Sequence, residues 1–473
     1  MKKIRNCIVC AALLAMVLSL AACGGKKNDK EEIEKTEAAS KQEISSEDGG
    51  EEADGETEEN DVEEINNPSE ETGMPSEEGD ILYVYSWNDQ FEDKLQYFRE
   101  KYPQYADRIE YVNLDEDSGA YNIDLETLLQ GKYEETEKYP SIIALDNSSV
   151  LDYVQSDYTL PMSELGISEE DTKNMYPYTL DYVTYEDEVK ALTWQATPGV
   201  VCYRTDIAEL VFGSGKPEVV QEAIADWDSF LATAERMKEF GYKMVSGPDD
   251  IKYAFYDAKE EPWVTDEHLN IDESVYRYLT VAKRLKDEEY TGETTIESEE
   301  WFANVDKDVF CYFGNPQFFY WTLNPEAHAG DYNICEGPAP YHWGGTYLTV
   351  GRECPDKSLA ALFLKTICCD TEVMEKIEED TFDFVNNKEA VAHLIAADIG
   401  ISEICGDFNP LPTFDAVAGK VDVSKSTIYD AKFNGYVDNV LPQFLEGDAE
   451  DKREAVERVK DQVSDAYNYI KID

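Results

Sequence analysis

The stretch Ile81-Leu-Tyr-Val-Tyr-Ser-Trp87 is followed at once by the polar residues Asn88-Asp89-Gln90. The first run is rich in β-branched and aromatic side chains, which favour a buried strand, and the polar residues predict the end of that strand. Apolar residues then recur at helical spacing from Phe91 to Phe98, and Pro103 stops the pattern. The segment therefore predicts a strand that leads directly into a helix, which is the opening unit of an α/β domain.

Downstream segments repeat this alternation of strand and helix. Apolar runs at 109–112 and 141–145 predict two further strands, and the leucine pattern near 125–129 predicts a helix between them. This order favours a mainly parallel sheet, whose ligands lie beyond the carboxyl ends of its strands. The residues at those ends are Trp87-Asn88-Asp89 and Asp146-Asn147, which makes them the first candidates for a binding site.

A second unit of the same kind begins after Pro198-Gly199, which interrupts the chain. Strands are predicted at 200–203, 309–313 and 332–335, and Asp226 is a predicted helix N-cap. The chain has 473 residues, which is too long for one compact core and suits two domains or lobes.

The N-terminus has the pattern of a secretory leader. Lys2, Lys3 and Arg5 precede an apolar run from Ile8 to Leu20, which is too short for a membrane-spanning helix. Small residues then lead into Cys23. This ending resembles the signal of a bacterial lipoprotein, in which Cys23 becomes the lipidated first residue of the mature chain. The alternative is a plain secretory leader with an incidental cysteine, and both interpretations place the working protein outside the cell.

Negative charge is concentrated in the segment after the leader. Between Lys26 and Asp80 there are 22 acidic and 5 basic side chains and almost no large apolar ones. Such a segment cannot bury enough surface to offset its chain entropy, so it is predicted to be a disordered tether. The whole chain has a formal net charge of −61. A surface this acidic repels nucleic acid and anionic lipid, which excludes both as partners.

The cysteines do not form a legible disulfide framework. Cys7 and Cys10 lie in the leader, and seven cysteines remain after Cys23. These seven are Cys202, Cys311, Cys335, Cys354, Cys368, Cys369 and Cys405. Their number is odd and no CxxC pair occurs among them, so no pairing is predicted.

Common catalytic and metal-binding motifs are missing from the sequence. The four histidines, His268, His328, His342 and His393, have no HExxH spacing, so a zinc site is not predicted. Gly213-Ser-Gly-Lys216 lacks the earlier glycine of a phosphate-binding loop, and no GxSxG element is present. No metal ion and no cofactor are therefore predicted.

Six short motifs occur in an order that is typical of one family. They are Tyr83-Val-Tyr-Ser-Trp87, Tyr139-Pro-Ser-Ile-Ile-Ala-Leu-Asp-Asn147, Trp194-Gln-Ala-Thr-Pro-Gly199 with Tyr203-Arg-Thr-Asp206, Asp226-Trp227, Tyr312-Phe-Gly314, and Gly337-Pro338 through Trp343-Gly-Gly-Thr346. From Ile81 onward the chain resembles the extracellular solute-binding proteins, of the family 1 type, that serve carbohydrate ABC transporters. It departs from the family at Pro140-Ser141, where many members have Pro-Asp.

The resemblance implies an α/β fold of the periplasmic-binding-protein type II, in which two lobes are joined by hinge crossings. Each lobe would be a mainly parallel sheet flanked by helices, with crossings near Pro198, Trp343 and Phe408. The implied divisions are a signal peptide at 1–22, a lipidated cysteine and tether at 23–80, a first lobe at 81–197 and 344–406, and a second lobe at 198–343 and 407–473. The implied protein is a monomeric, non-enzymatic lipoprotein on the extracellular face of the cell membrane. It would capture a sugar or oligosaccharide between its lobes and deliver it to an ABC permease.

A sugar site needs flat aromatic side chains for the C–H face of a pyranose and polar groups for its hydroxyls. The candidate aromatic platforms are Trp87, Trp194, Trp263, Trp301 and Trp343, although core packing is the alternative for each. The candidate hydroxyl partners are Asn88, Asp89, Asp146, Asn147 and Asn315, each of which could instead form a turn or a helix cap. Gly344-Gly345 is a candidate crossing between the lobes at the same site.

Two alternative functions stay open at this level. A surface hydrolase acting on a glycan would need a pair of opposed carboxylates, and 102 acidic residues are too many for the sequence to exclude one. The same fold could also bind a polyamine or a peptide, because the body of the chain is strongly acidic.

Overall fold

The computed structural model describes residues 74–114, 121–131, 138–305, 307–323, 325–400 and 402–472. The leader, Cys23 and the tether up to residue 73 lie outside the described residues, so the predictions made for them are not tested. Within the described ranges, no helix is long and apolar enough to cross a membrane.

Seven strands form two main sheets. They are β1 (Leu82–Ser86), β2 (Ile109–Asn113), β3 (Ile142–Asp146), β4 (Val200–Arg204), β5 (Cys311–Gly314), β6 (Tyr332–Cys335) and β7 (Thr346–Val350). Two short hairpins pair Thr184–Tyr185 with Glu188–Val189 and Val264–Thr265 with His268–Leu269. The predicted strands are confirmed with shifts of one or two residues at their ends.

The first sheet has the strand order β7-β3-β1-β2. β1 runs parallel to β2 and to β3, because a helical connection returns the chain to the same end of the sheet each time. Val84 lies opposite both Tyr111 and Ile142. β7 closes the sheet antiparallel to β3, with Thr346 opposite Asp146. The expected mainly parallel pairing therefore holds in this sheet.

The second sheet has the order β6-β4-β5, and both of its strand pairs are antiparallel. The mainly parallel pairing expected for it does not hold for these three strands, since β4 enters the lobe through the crossing and runs opposite to its neighbours. Two isolated parallel β-bridges lie outside these strands. One joins Lys243 to Val309, and the other joins Val245 to Thr291. The fold is thus α/β with mixed sheets.

Helices cover these sheets and complete the two lobes. Those before β4 are Glu92–Lys101, Tyr121–Leu129, Asn147–Val154, Glu169–Thr172 and Pro177–Asp181. Between β4 and β7 lie Thr205–Phe212, Pro217–Ala223, Trp227–Glu239, Lys252–Tyr256, Glu273–Asp287, Glu299–Ala303 and Pro325–His328, together with the π-helix Phe318–Thr322. After β7 come Lys357–Cys368, Thr371–Thr381, Lys388–Ala396, Leu411–Ala418, Asp430–Glu446 and Lys452–Ala466. The predicted N-cap Asp226 is confirmed, since its side chain accepts the Ser229 N–H at 2.8 Å.

Buried apolar side chains form two clusters: one contains the first sheet and one face of the second sheet, and the other contains the opposite face of the second sheet. Helix Leu411–Ala418 belongs to the first cluster, where Phe414 packs against Phe384 with ring centroids 5.5 Å apart. The predicted boundary at 407 placed this helix in the second lobe. Phe414 also packs against Phe319 and Tyr320, which the prediction places in the second lobe, and helix Asp430–Glu446 packs in the second cluster.

The last residues of the predicted tether are held against the body, which corrects the expected disorder up to Asp80. Arg108 donates hydrogen bonds to the carbonyl of Ser76 at 2.6 Å and to that of Asp80 at 2.8 Å. The Tyr105 hydroxyl donates to the Pro75 carbonyl at 2.6 Å. Composition could not indicate this, because the partners lie in a helical turn about 30 residues further along the chain.

All seven cysteines of the body are free thiols. Cys202, Cys311 and Cys335 lie inside strands of the second sheet and are buried. Burial raises the pKa of Cys335 to about 12, so its thiol stays protonated and unreactive.

A buried carboxyl in helix Thr371–Thr381 gives a prediction about stability and pH. Glu378 is 2% exposed, and its Oε2 accepts the Val385 N–H at 3.0 Å. Burial, with a smaller effect from Asp383, raises the pKa of this carboxyl well above its usual range. Above the ordinary pKa the unfolded chain has lost this proton while the folded chain keeps it, so stability falls as the pH rises towards the folded value.

At pH 8 we expect the free energy of unfolding of Glu378→Gln to exceed that of the wild type by on the order of 1 kcal/mol. The variant should therefore unfold at a higher denaturant concentration. The difference should shrink towards pH 4, where both states of the wild type hold the proton. Urea unfolding at the two pH values measures it. Glu379→Gln is the matched control, since Glu379 is exposed and its replacement should change neither value. Equal stability of Glu378→Gln and wild type at both pH values would contradict the argument.

Candidate functional site

The carboxyl end of β3 and the start of β7 form one polar edge of the first sheet. Thr346 lies opposite Asp146, and the Asn147 N–H donates to the Gly345 carbonyl at 3.0 Å. Two predicted hydroxyl partners, Asp146 and Asn147, therefore lie next to the predicted glycine crossing. The Asp146 side chain is exposed and also caps the following helix by accepting the Ser148 N–H at 2.8 Å.

Two chain segments run side by side between the sheets. Pro198 forms an antiparallel bridge with His342. Gly199 has no space for a side chain, because a Cβ there would lie 2.1 Å from the Tyr341 ring. Gly344 and Gly345 have φ angles of 71° and 116°, which favour glycine. The predicted crossings near Pro198 and Trp343 thus coincide with backbone that only glycine accommodates easily.

Trp343 presents a half-buried aromatic surface at this crossing. Its ring stacks on Tyr253 with centroids 5.0 Å apart and an interplanar angle of 20°. The Trp343 N–H donates to the Thr197 carbonyl at 3.1 Å, and Asn315 Nδ2 donates to the Trp343 carbonyl at 2.8 Å. Both main-chain groups of Trp343 are therefore fixed, which holds its ring in place.

The Tyr253 hydroxyl is buried, and three carboxylates influence its ionisation. Burial raises its pKa well above the usual range, and the charges of Glu297, Asp438 and Asp146 add to this effect. The Glu297 side chain has solvent-exposed surface, yet burial also raises its pKa. The site is thus a group of acidic side chains, Glu297, Asp438 and Asp146, that act on the stacked aromatic pair of Tyr253 and Trp343.

His342 lies at the same crossing and is paired with a carboxylate. Its backbone N–H donates to Asp257 Oδ2 at 2.7 Å, and its Nδ1 lies 2.7 Å from the same oxygen. The rings of Tyr178 and Tyr182 lie 5.9 and 5.3 Å from the imidazole. The Tyr182 hydroxyl donates to the Asn147 carbonyl at 3.1 Å, which connects His342 to the polar edge.

Three of the five predicted aromatic platforms are core residues, which corrects those predictions. Trp194, Trp263 and Trp301 are 5%, 1% and 0% exposed, so no sugar face can reach them. The indole N–H groups donate to Asp383 at 3.2 Å, Asn434 at 3.1 Å and Asp250 at 2.7 Å, respectively. Loop position in the sequence did not reveal these internal partners.

Trp87 and Trp343 are the platform candidates that keep accessible surface. Trp87 is half-buried at the end of β1, where it packs edge-on against Tyr121 with ring centroids 5.6 Å apart. The Tyr121 hydroxyl donates to the Ala144 carbonyl in β3 at 2.7 Å. Trp87 therefore lies beside the strand that ends at Asp146.

The other polar candidates have mainly structural contacts. Asn315 is 5% exposed, and its Oδ1 accepts the Phe318 N–H at 2.8 Å, so it positions Trp343 instead of facing solvent. Asp89 is exposed and accepts a hydrogen bond from Asn113 at 2.7 Å. The Asn88 carbonyl accepts the hydroxyl of Tyr111.

Sequence reasoning missed Tyr182, Tyr253, Glu297 and His342. Tyr253 lies in helix Lys252–Tyr256 and reads as an ordinary helical aromatic. In the sequence, His342 is tested against a zinc-site spacing and is not among the sugar-site candidates. Its neighbours in the sequence, Tyr341 and Trp343, were the available signal, because an aromatic cluster just before two glycines marks the crossing.

Two surface cavities lie away from this site. One of about 370 Å³ is lined by Glu273, Tyr276, Lys452, Arg453 and Glu457, and one of about 290 Å³ is lined by Glu378, Glu379, Phe382, Ile399 and Gly400. Neither is lined by both rings of a stacked aromatic pair. In the part of the chain that the structure describes, no group of His, Cys, Asp and Glu could hold a metal ion.

Several solved structures share this fold. A crystal structure of an extracellular solute-binding protein of family 1 matches with a TM-score of 0.69 at 14% identity, covering 81% of this chain and 99% of that chain. The galacto-N-biose/lacto-N-biose I-binding protein of the ABC transporter from Bifidobacterium longum, in complex with lacto-N-biose, matches with a TM-score of 0.65 at 11% identity, covering 84% and 100%. An ABC transporter associated binding protein from B. animalis subsp. lactis, in complex with β-1,6-galactobiose, matches with a TM-score of 0.63 at 16% identity, covering 83% and 98%. These likenesses confirm the two-lobed fold.

The family model of bacterial extracellular solute-binding proteins matches residues 117–400, which is more than half of the chain. Comparison with curated protein sequences gives no match. The matched region contains the polar edge, the crossing and the Trp343–Tyr253 pair. The chain therefore belongs to the bacterial extracellular solute-binding proteins.

Proposed function

We propose that this protein captures a sugar or short oligosaccharide in the cleft between its two lobes and delivers it to the permease of an ABC transporter. The observation that carries the proposal is the fixed, stacked pair of Trp343 and Tyr253 beside the polar edge at Asp146 and Asn147. A pyranose has an apolar C–H face and a rim of hydroxyl groups, and this arrangement offers a surface for each.

The proposed roles follow from the contacts. The free face of Trp343 would receive the C–H face of one sugar ring, since its other face covers Tyr253. Asp146, Asn147 and Glu297 would accept hydroxyl protons at the rim, and Trp87 would offer a second apolar surface at the end of β1. Gly344 and Gly345 would let the chain cross between the lobes, which close around the solute by a hinge motion.

Two structural neighbours support a carbohydrate solute. The Bifidobacterium longum protein is in complex with lacto-N-biose, and the B. animalis protein is in complex with β-1,6-galactobiose. Both match over nearly their full length.

The lobes, the anchor and the location are part of the same proposal. We assign the first lobe to residues 81–197 and 344–406 and the second lobe to 198–343 and 407–473. Cys23 would carry the acyl chains, and the acidic segment after it would lift a monomeric body from the extracellular face of the membrane. In this proposal the protein binds its sugar and does not cleave it.

A cationic solute such as a polyamine is the second candidate. Glu297, Asp438 and Asp146 all act on the Tyr253 hydroxyl, so the cleft combines aromatic and anionic surfaces. Such surfaces also suit alkylammonium groups.

A thermal-shift screen tests these proposals together. We expect a sugar from a panel of mono-, di- and oligosaccharides to raise the unfolding temperature by a few degrees, since a ligand at 100 times its Kd stabilises by about 2.7 kcal/mol. Spermidine and a short peptide are the comparison ligands, and a rise with either alone would favour the second candidate or a peptide-binding role. Release of reducing sugar from a bound oligosaccharide would instead indicate a hydrolase.

A further inference from the structure

The cavity of about 290 Å³ lies at the end of helix Thr371–Thr381, away from the proposed sugar site. Its lining includes two apolar side chains with open surface, Phe382 and Ile399, which are 48% and 37% exposed. Glu378 also lines the cavity but is only 2% exposed, so it forms the innermost part of the lining. The cavity thus passes from an open apolar surface to a buried carboxyl group.

Phe382 has a backbone conformation that a bulky residue rarely adopts. It ends helix Thr371–Thr381 with a φ of 59°, at a position where glycine is usual because it has no Cβ. Its ring stacks on Tyr320 with centroids 5.2 Å apart at 22°, and much of the side chain stays exposed. An open aromatic surface kept at a strained position is more typical of a binding site than of packing.

One carboxyl oxygen of Glu378 has no hydrogen-bond partner among the described residues. Its Oε2 accepts the Val385 N–H at 3.0 Å, whereas Oε1 is buried without a partner. Burial raises the pKa of this carboxyl well above its usual range, so the group keeps its proton where an exposed glutamate has lost it. Since Oε2 already serves as an acceptor, the proton is on Oε1. This buried donor would be stabilised by an acceptor that a bound molecule supplies.

We propose that this cavity binds a small neutral aromatic amide, with its ring on the exposed face of Phe382 and its carbonyl oxygen at Glu378 Oε1. Cavities for drug-sized ligands begin at about 300 Å³. A volume of about 290 Å³ therefore suits a single ring with a small substituent. The exposed carboxylate of Glu379, which also lines the cavity, can accept an amide N–H and repels an anion. An ammonium group offers no acceptor for the Glu378 proton.

A ligand-observed NMR titration of the full chain tests this class of ligand. The probe is benzamide, for which we expect a Kd of about 1 mM. Benzoate and benzylamine have nearly the same size and carry a negative and a positive charge, and each should bind about tenfold more weakly. Absence of benzamide binding would overturn the proposal. Benzylamine binding as tight as that of benzamide would contradict the neutral class.

Two substitutions test the position of the site. Phe382→Gly and Glu378→Leu should each bind benzamide about tenfold more weakly than the wild type. Glycine adopts a φ of 59° without strain, so Phe382→Gly should stay folded and keeps the test valid if Glu378→Leu does not fold. Glu378→Gln should keep the wild-type affinity, because its amide N–H replaces the Oε1 donor.

The matched control for the aromatic ring is Phe240→Gly. Phe240 also follows a helix, Trp227–Glu239, and is 45% exposed, but it does not line this cavity. Its benzamide affinity should equal that of the wild type. Equal affinity of Phe382→Gly and Phe240→Gly would overturn the site. Such a result would leave the proposed sugar binding intact, since the two sites share no residue.

Discussion

Replacing Lys94 with methionine should lower the free energy of unfolding by about 3–5 kcal/mol. Lys94 and Asp383 form an ion pair at 2.8 Å, with side chains only 6% and 4% exposed. Asp383 also accepts the indole N–H of Trp194 at 3.2 Å. Methionine fills much of the same space but leaves the Asp383 carboxylate buried without a cation, and an uncompensated buried charge is strongly destabilising.

Guanidinium chloride unfolding measures this loss. Lys376→Met is the matched control, because Lys376 pairs with Glu100 where the side chains are 50% and 63% exposed. An exposed pair contributes about 0–1 kcal/mol, so the control should stay close to the wild type. Equal effects of the two substitutions would show that the Lys94 pair does not hold the first lobe together.

Replacing Trp343 with alanine should weaken sugar binding about 30-fold, which corresponds to about 2 kcal/mol. The indole is the half-buried platform at the crossing, and its main-chain groups are fixed by Thr197 and Asn315. Alanine keeps those main-chain bonds and removes only the apolar surface. Affinity should therefore fall by more than stability does.

Phe382→Ala is the control for the loss of a stacked aromatic ring. Phe382 stacks on Tyr320 with centroids 5.2 Å apart at 22°, much like the Trp343 pair, but it is 48% exposed and lines a cavity outside the cleft. This variant should bind sugar as the wild type does. Calorimetric titration of both variants decides the matter, and an unchanged affinity in Trp343→Ala would place the sugar elsewhere.

The sequence was sufficient for the strands and the fold class because local pattern determines them. β1 and β3 read as buried apolar runs with polar residues at their ends, and Asp226 read as a helix cap from its own neighbourhood. The crossings near Pro198, Trp343 and Phe408 came from the family resemblance instead, although Pro198-Gly199 and Gly344-Gly345 are residues that restrict or free the backbone.

Burial of individual aromatic residues could not be predicted in the same way. Trp301 and Trp343 are both predicted platforms in the sequence, yet Trp301 is fully buried against Asp250 and Trp343 keeps accessible surface. The difference comes from tertiary contacts between segments far apart in the chain. The antiparallel pairing of the second sheet has a similar origin, since the direction of β4 depends on how the chain enters the lobe.

Partners across the cleft were equally out of reach of sequence patterns. Tyr253 and Glu297 are each more than 100 residues from Asp146 in the chain. In the structure, the charges of Glu297 and Asp146 both act on the Tyr253 hydroxyl. His342 gained significance only through its contact with Asp257 at 2.7 Å. Pairwise geometry of this kind is what the fold adds to the candidate site.

The most direct test of the central claim is calorimetric titration of the wild-type protein with the sugar that gives the largest thermal shift. The account predicts one binding site per chain, recovery of the sugar unchanged after release, and about 30-fold weaker binding by Trp343→Ala. Tight binding of spermidine with no binding of any sugar would contradict it, and so would cleavage of the recovered sugar.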